Sequence, residues 1–226
     1  MGTEILRPIR GVRARITSLD ECGCLEEDSS YVVTEGYIKV EFTPENEAGD
    51  EIIQKNADGA LCINEKSQDS LKRVGVSIDW CEVNPDIINL ITGFPVELDD
   101  TDVVGFRLKT GIFDTNWALE IWQRLAGAAC GEEGACYAYW LLPYLTGASL
   151  TNMGPVQNGV TSFTTSGYTV VPACWDVGPY DVIGDPAGPL DVAIGDDELL
   201  LFRKTCVAPP DATDEATPVY PGSAPA

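Results

Sequence analysis

Apolar and polar residues alternate with a period of two along most of the chain, the spacing that turns one face of a β-strand inward and the other outward. Ile38, Val40 and Phe42 alternate with Tyr37, Lys39 and Glu41. Val74, Val76, Ile78 and Trp80 alternate with Gly75, Ser77 and Asp79, and Val104, Phe106 and Leu108 with Gly105, Arg107 and Lys109. Each run predicts a half-buried strand. The stretches from Trp117 to Trp122, Tyr137 to Leu142, Val160 to Thr165 and Leu199 to Val207 continue the pattern. Turn chemistry predicts antiparallel pairing between them. Asn158-Gly159 is a favoured pair for a tight hairpin, because both central residues of that turn need positive φ. Asp58-Gly59 stands between the extended runs 51–54 and 60–63. This predicts a long hairpin over about residues 44–70, inserted between two core strands and too polar to be core, so it projects.

One helix interrupts the strands. Asn84 supplies an N-cap, Pro85 suits the first helical position, and Asp86 complements the positive end of the helix dipole. Ile87, Ile88, Leu90 and Ile91 form its apolar face, and Gly93 is the C-cap candidate. No repeat and no linker precedes about residue 208, so residues 31–208 read as one β domain. Residues 1–30 read as a basic arm and first strand, and 209–226 as a flexible Pro-rich tail. The predicted fold is mainly β: a two-sheet antiparallel sandwich or barrel with one short flanking helix.

Charge narrows the function. Of 226 residues, 14 are Lys or Arg and 36 are Asp or Glu, with no His, for a formal net charge of −22. Such a chain repels nucleic-acid phosphates. Without His, the Ser-His-Asp and His-zinc constellations are excluded within one chain. The basic residues are uneven: Arg7, Arg10, Arg13 and Arg15 face only Glu4 in the first fifteen residues. A basic arm on an acidic body predicts contact with another copy of that body. The opening residues lack the apolar run of a secretion signal, and no stretch of about 18 apolar residues predicts a membrane span. The expectation is synthesis and assembly in a cytoplasm.

Eight cysteines form no C-x-x-C pair, and most read as small buried hydrophobes. Cys130 and Cys136 flank a Gly-bounded turn, the one place where a disulfide across a hairpin is suggested. Glu120 between Trp117 and Trp122 resembles the acid of a glycosidase or a sugar cleft. On an alternating strand it shares a face with Trp122 and opposes Trp117, which favours a structural edge position. Asp99, Asp100 and Asp102, like Asp196, Asp197 and Glu198, lack the spacing of a calcium loop and read as solvated turns. No phosphate-binding glycine loop or nucleophile elbow occurs. No catalytic, cofactor or metal site is predicted, and the chain reads as a non-enzyme.

What remains is a body suited to joining copies of itself. The candidate contact residues are Arg7, Arg10, Arg13 and Arg15 on the arm, and Ile52, Ile53, Asp58, Gly59 and Leu61 on the hairpin. Two rival readings use other residues: a carbohydrate-binding sandwich with Trp117, Trp122 or Trp140 as a platform, and a carboxylate enzyme built on Glu120.

Several stretches resemble the major tail-tube proteins of long-tailed bacteriophages, particularly those of actinobacteria. They are the segment from Val74 through Trp80, Asn84-Pro85 and Ile91 to Gly93; Trp117 to Trp122; Tyr139 to Tyr144 and on through Asn158-Gly159 to Gly167; and Val177 to Val182. They follow one another in that family's apparent order over about residues 70–185. The resemblance implies a two-sheet fold with a flanking helix and sixfold rings stacked into a virion tail tube that conducts genomic DNA. It further implies partners at the tail ends, the tail terminator and the baseplate or tip proteins, and a tape-measure protein in the lumen. The family offers no catalytic residues. Another phage structural part, such as a minor tail, terminator or decoration protein, is the nearest alternative.

Overall fold

The computed structural model describes residues 5–111, 114–126, 135–154, 161–172, 174–184, 186–213 and 215–219. The chain folds as β1 (Pro8–Leu19), β2 (Ser30–Thr34), β3 (Tyr37–Glu47), β4 (Glu51–Lys55), β5 (Leu61–Lys66), β6 (Ser70–Trp80) and α1 (Pro85–Thr92). There follow β7 (Val96–Asp99), β8 (Asp102–Phe106), β9 (Asn116–Leu125), β10 (Tyr137–Met153), β11 (Phe163–Thr169), β12 (Ile183–Gly184), β13 (Ala187–Gly188), β14 (Leu201–Thr205) and β15 (Thr217–Pro218). The architecture is therefore mainly β, with antiparallel pairing and one short helix among the described residues.

Nine strands form one hydrogen-bonded sheet in the order β15-β2-β1-β9-β10-β11-β6-β3, with β14 also on β10. Its ends, β15 and β3, do not pair with each other, so it is not a closed barrel. The pivot is β10. Its first half pairs with β9 and β14, and its second half with β11. The register with β9 shifts between Leu142 and Leu145, and that with β11 between Thr146 and Ser149. Pro143, which has no N–H for the ladder, sits at the first shift. Gly147, at φ +63, sits at the second, where a side chain would strike the Tyr168 ring. Beyond this bend the sheet turns back: Phe42 of β3 lies 5.4 Å, centroid to centroid, from Trp140 of β10.

Alternation on β9 divides the core. Trp117, Leu119 and Ile121 point to one face, where they pack with Ile16, Ile78, Trp80 and the helix residues Ile87, Leu90 and Ile91. Ala118 and Trp122 point to the other, where Tyr139 and Leu141 meet Trp175, Tyr180, Val182 and Leu190 from the irregular segment after β11. The helix forms as its signals predict. The Asn84 side chain accepts from the N–H groups of Asp86 and Ile87, and Gly93 closes the helix at φ 71.

Four expectations meet a different structure. Cys136 pairs with Cys206, and Cys24 with Cys174. Cys130 and the Asn158-Gly159 turn lie outside the described residues. Cys22, Cys62 and Cys81 are exposed thiols rather than buried hydrophobes. The spacing of cysteines in sequence is uninformative here because both bridges join distant elements. The tail expected to be flexible is held as far as Val219. Thr217 and Pro218 pair with β2, Thr213 N–H donates to the Val33 carbonyl (2.9 Å), and Val219 is buried. This segment covers the otherwise open edge of β2. The basic arm is not free: from Pro8 onward it pairs with β9, and over Ala14–Thr17 it also pairs with β2, so Arg15 lies inside the sheet.

Candidate functional site

The four N-terminal arginines occupy three different environments. Arg15 is buried at the sheet centre and forms a bidentate ion pair with Glu120: Nε to Oε2 at 2.6 Å and NH2 to Oε1 at 2.7 Å. Tyr139 donates its hydroxyl to Glu120 Oε1 at 2.6 Å, and the Arg15 guanidinium lies 3.3 Å from the Tyr180 ring centroid. Burial would lower the Arg15 pKa, but the Glu120 charge and hydrogen bonds outweigh it and the net shift is upward. Burial, and next the Glu120 charge, hold the Tyr139 hydroxyl protonated well above the usual phenol range. Glu120 is therefore not an edge residue. It stands on β9 between two neighbours, 1% exposed, with both oxygens bonded. It has no route to a substrate, and Arg15 has none to a neighbouring subunit.

Arg13 is half-buried in an ion pair with Glu35. Arg7 and Arg10 are exposed and form no ion pair among the described residues. The register extends this basic group across the sheet. Arg10 stands opposite Arg124, and Arg124 opposite Tyr137. Two rungs on, past Gly11 and Gln123, Arg13 stands opposite Trp122, Trp122 opposite Tyr139, and Tyr139 opposite Arg203. Directly opposed residues share a sheet face and residues two apart on β9 share it too, so these two rungs, separated by that of Gln123, carry four arginines on one face. Sequence reading missed this grouping because Arg124 and Arg203 are far from the arm in the chain.

The projecting hairpin is present. β4 and β5 pair outside the main sheet, with every residue from Asp50 to Leu71 exposed. Its turn is not a two-residue loop. The Asn56 side chain accepts from the N–H groups of Asp58 (3.1 Å) and Ala60 (2.8 Å), and Gly59 takes φ +81. An Asx-type turn thus does the work that Asp58-Gly59 alone was expected to do. Ile52 opposes Glu65 and Gln54 opposes Ile63, so Ile52, Ile63 and Leu61 share one face of the ribbon, and Ile53 lies on the other. These four apolar residues are 49–60% exposed.

The tryptophans offer no sugar platform. Trp117 and Trp122 are 1% and 2% exposed, and Trp140 is flanked by Phe42 (5.4 Å) and Phe202 (4.3 Å). The described residues contain no cluster of three acidic or cysteine side chains arranged for a metal ion. Asp100 takes a positive φ of 58 in the turn between β7 and β8, and Glu198 accepts from Gly195 N–H at 2.8 Å, so both acidic runs act as turns.

A cleft of about 860 Å³ opens between the end of β2, the start of α1, the β7–β8 turn, and residues 212–213 and 215–216. Glu35, Glu82, Asp86, Asp102 and Glu215 line it, and no Lys or Arg does. The sequence carries no local signal for it, since its acids come from four separated segments. No helix among the described residues is long and apolar enough to cross a membrane. Comparison with protein-family models finds no match, and comparison with curated proteins finds none either.

Proposed function

We propose that this chain is a structural subunit that polymerises as stacked, sixfold rings to form the tail tube of a long-tailed bacteriophage virion, with no catalytic role. The observation that carries the reading is the fully exposed β4–β5 ribbon with Ile52, Leu61 and Ile63 on one face. A soluble chain has no reason to extend such a ribbon into water, because its apolar side chains gain burial only against a partner. The rest of the molecule supports it: the carboxylate nearest an aromatic cluster is sealed, and the tryptophans are covered. The folded-back sheet fits the two-layer sandwich that the family resemblance implies, with α1 on its flank.

In this reading the partners are other copies of the chain, a tape-measure protein inside the tube, and terminator and baseplate or tip proteins at its ends. Genomic DNA passes through the lumen without being held. A net charge of −22 per subunit repels phosphates over a Debye length of ~8–10 Å. Assembly would take place in the host cytoplasm.

Negative-stain electron microscopy of the purified protein over a range of concentrations tests this. Rings or tubes with sixfold end views are expected. Replacing residues 51–66 by a short Gly-Ser turn is expected to leave the fold intact and abolish stacking. Tubes of normal length from the shortened chain would remove the hairpin from the reading. Single rings from the intact chain would favour a terminator or decoration protein.

A further inference from the structure

Three cysteines meet where the connection between β1 and β2 lies against the segment after β11. Cys24 is bridged to Cys174, with their Cα atoms 4.9 Å apart. Cys22, two residues from Cys24 in the chain, is an exposed free thiol. A tight turn keeps Cys22 and Cys24 together. The Asp20 carboxylate oxygen Oδ1 accepts from the N–H groups of both, at 2.8 Å and 2.6 Å. Gly23 between them takes φ +80, with the Tyr144 ring so close that a side chain would strike it. Tyr144 also fixes the other partner. Its carbonyl accepts from Val170 N–H at 3.0 Å, four residues before Cys174. On the far side of Cys174, Trp175 is buried in the second core. Cys174 is thus held from both sides, and the turn presents it with two cysteines where one bridge is made.

We propose that Cys22, Cys24 and Cys174 form a thiol–disulfide exchange site, in which Cys174 is bridged to Cys24 and to Cys22 in turn. The Cys22 thiol gives its proton to solvent, and its thiolate attacks Sγ of Cys174. The Cys22–Cys174 bond forms, the Cys24–Cys174 bond breaks, and Cys24 leaves as a thiolate that takes up a proton. No electrons are gained or lost overall, so no oxidant is needed, and the reverse step restores the first bridge. Attack at Cys24 Sγ would instead close a ring over one intervening residue, which distorts the backbone, so Cys174 is the sulfur attacked. Exchange requires the Cα of Cys22 to come within about 7 Å of that of Cys174. A surface turn can shift that far while the sheet beneath it stays in place. A low-molecular-weight thiol that opens the bridge leaves a mixed disulfide on Cys174, and either thiolate of the turn expels it. The cover of the second core, Trp175 with Tyr180 and Val182, therefore keeps its tether to the β1–β2 connection through an attack that opens one bridge. This holds whether or not the chain assembles.

Disulfide mapping of the full-length protein tests the proposal. The protein is incubated at mildly alkaline pH, where the attacking thiolate forms. It is then trapped with excess N-ethylmaleimide and digested with pepsin at acid pH, where exchange is arrested. Tandem mass spectrometry reads whether Cys22 or Cys24 carries the maleimide in the fragments bound to Cys174. The two bridges are expected within about tenfold of each other. Cys24→Ser is expected to keep Cys174 bridged, now to Cys22, and Cys22→Ser to hold it on Cys24 alone. In reduced glutathione the Cys174 bridge is expected to survive longer in the wild type than in Cys22→Ser. A wild type with Cys174 on Cys24 alone, a folded Cys24→Ser chain with Cys174 free, or equal survival in glutathione overturns the proposal. Should Cys24→Ser fail to fold, mapping of the wild type, which needs no substitution, still decides.

Discussion

At the residue scale, burial sorts the ionisable groups. Removing one partner of a buried ion pair leaves an uncompensated charge, which costs about 3–5 kcal/mol. Glu120→Gln is therefore expected to lower stability to urea by that order, because Arg15 keeps its charge beneath Trp122 and Tyr180. The double change Arg15→Met with Glu120→Met is expected to restore part of the loss, since it removes both charges. Equal losses in the single and double variants would contradict this account. Tyr37 behaves differently. Its hydroxyl is buried without a hydrogen-bond partner among the described residues, close to Gly11. Burial pushes its pKa from 10.0 up to about 12, against a smaller lowering by Arg13. The folded state thus holds the phenol proton more tightly than the unfolded one. Stability is fully retained below pH 10 and falls as pH rises from there through about 12. Tyr37→Phe is expected to flatten that alkaline loss, read by denaturation midpoints between these pH values, and to cost nothing at neutral pH.

At the scale of elements, local chemistry decides what a sequence reveals. The helix was legible because Asn84, Pro85, Asp86 and Gly93 each act within one turn of their own position. Asn84→Ala is expected to cost about 1 kcal/mol in chemical denaturation, the usual worth of a lost N-cap. The alternation that gave β6 and β9 was legible for the same reason: each side chain's face follows from its neighbours. Legibility ends where partners are distant. Nothing near Glu120 announces Arg15, which lies 105 residues away, and nothing near Cys24 announces Cys174, 150 residues away. Residues 209–219 look flexible by composition, yet β2 offers them an unpaired edge, and only the assembled sheet reveals that offer. The arginine rungs and the acidic cleft were hidden in the same way.

At the scale of the whole molecule, two effects oppose each other in the self-assembly reading. The net charge of −22 keeps copies apart at long range, whereas apolar residues of the projecting hairpin such as Ile52 and Leu61 gain burial only when copies meet. Raising ionic strength from ~0.01 M to ~0.15 M shortens the Debye length from ~30 Å to ~8 Å, which relieves the repulsion and leaves apolar contact in place. Assembly measured by light scattering is expected to rise with salt over this range. A steady fall would mean that charge attraction, not apolar burial, holds the copies together.

The place of β1 also bears on how the molecule answers a mechanical pull. Residue 5 leads directly into β1, whereas Val219 leaves at the far end of that strand, beside Ser29. Tension between these points runs along the strands in opposite directions, so the ladders flanking β1 are loaded together in shear rather than opened one bond at a time. If they gave way, the bridges Cys24–Cys174 and Cys136–Cys206 would keep most of the intervening chain from running out. A filament of such subunits would stretch little before it broke, and under reducing conditions the same filament would become extensible.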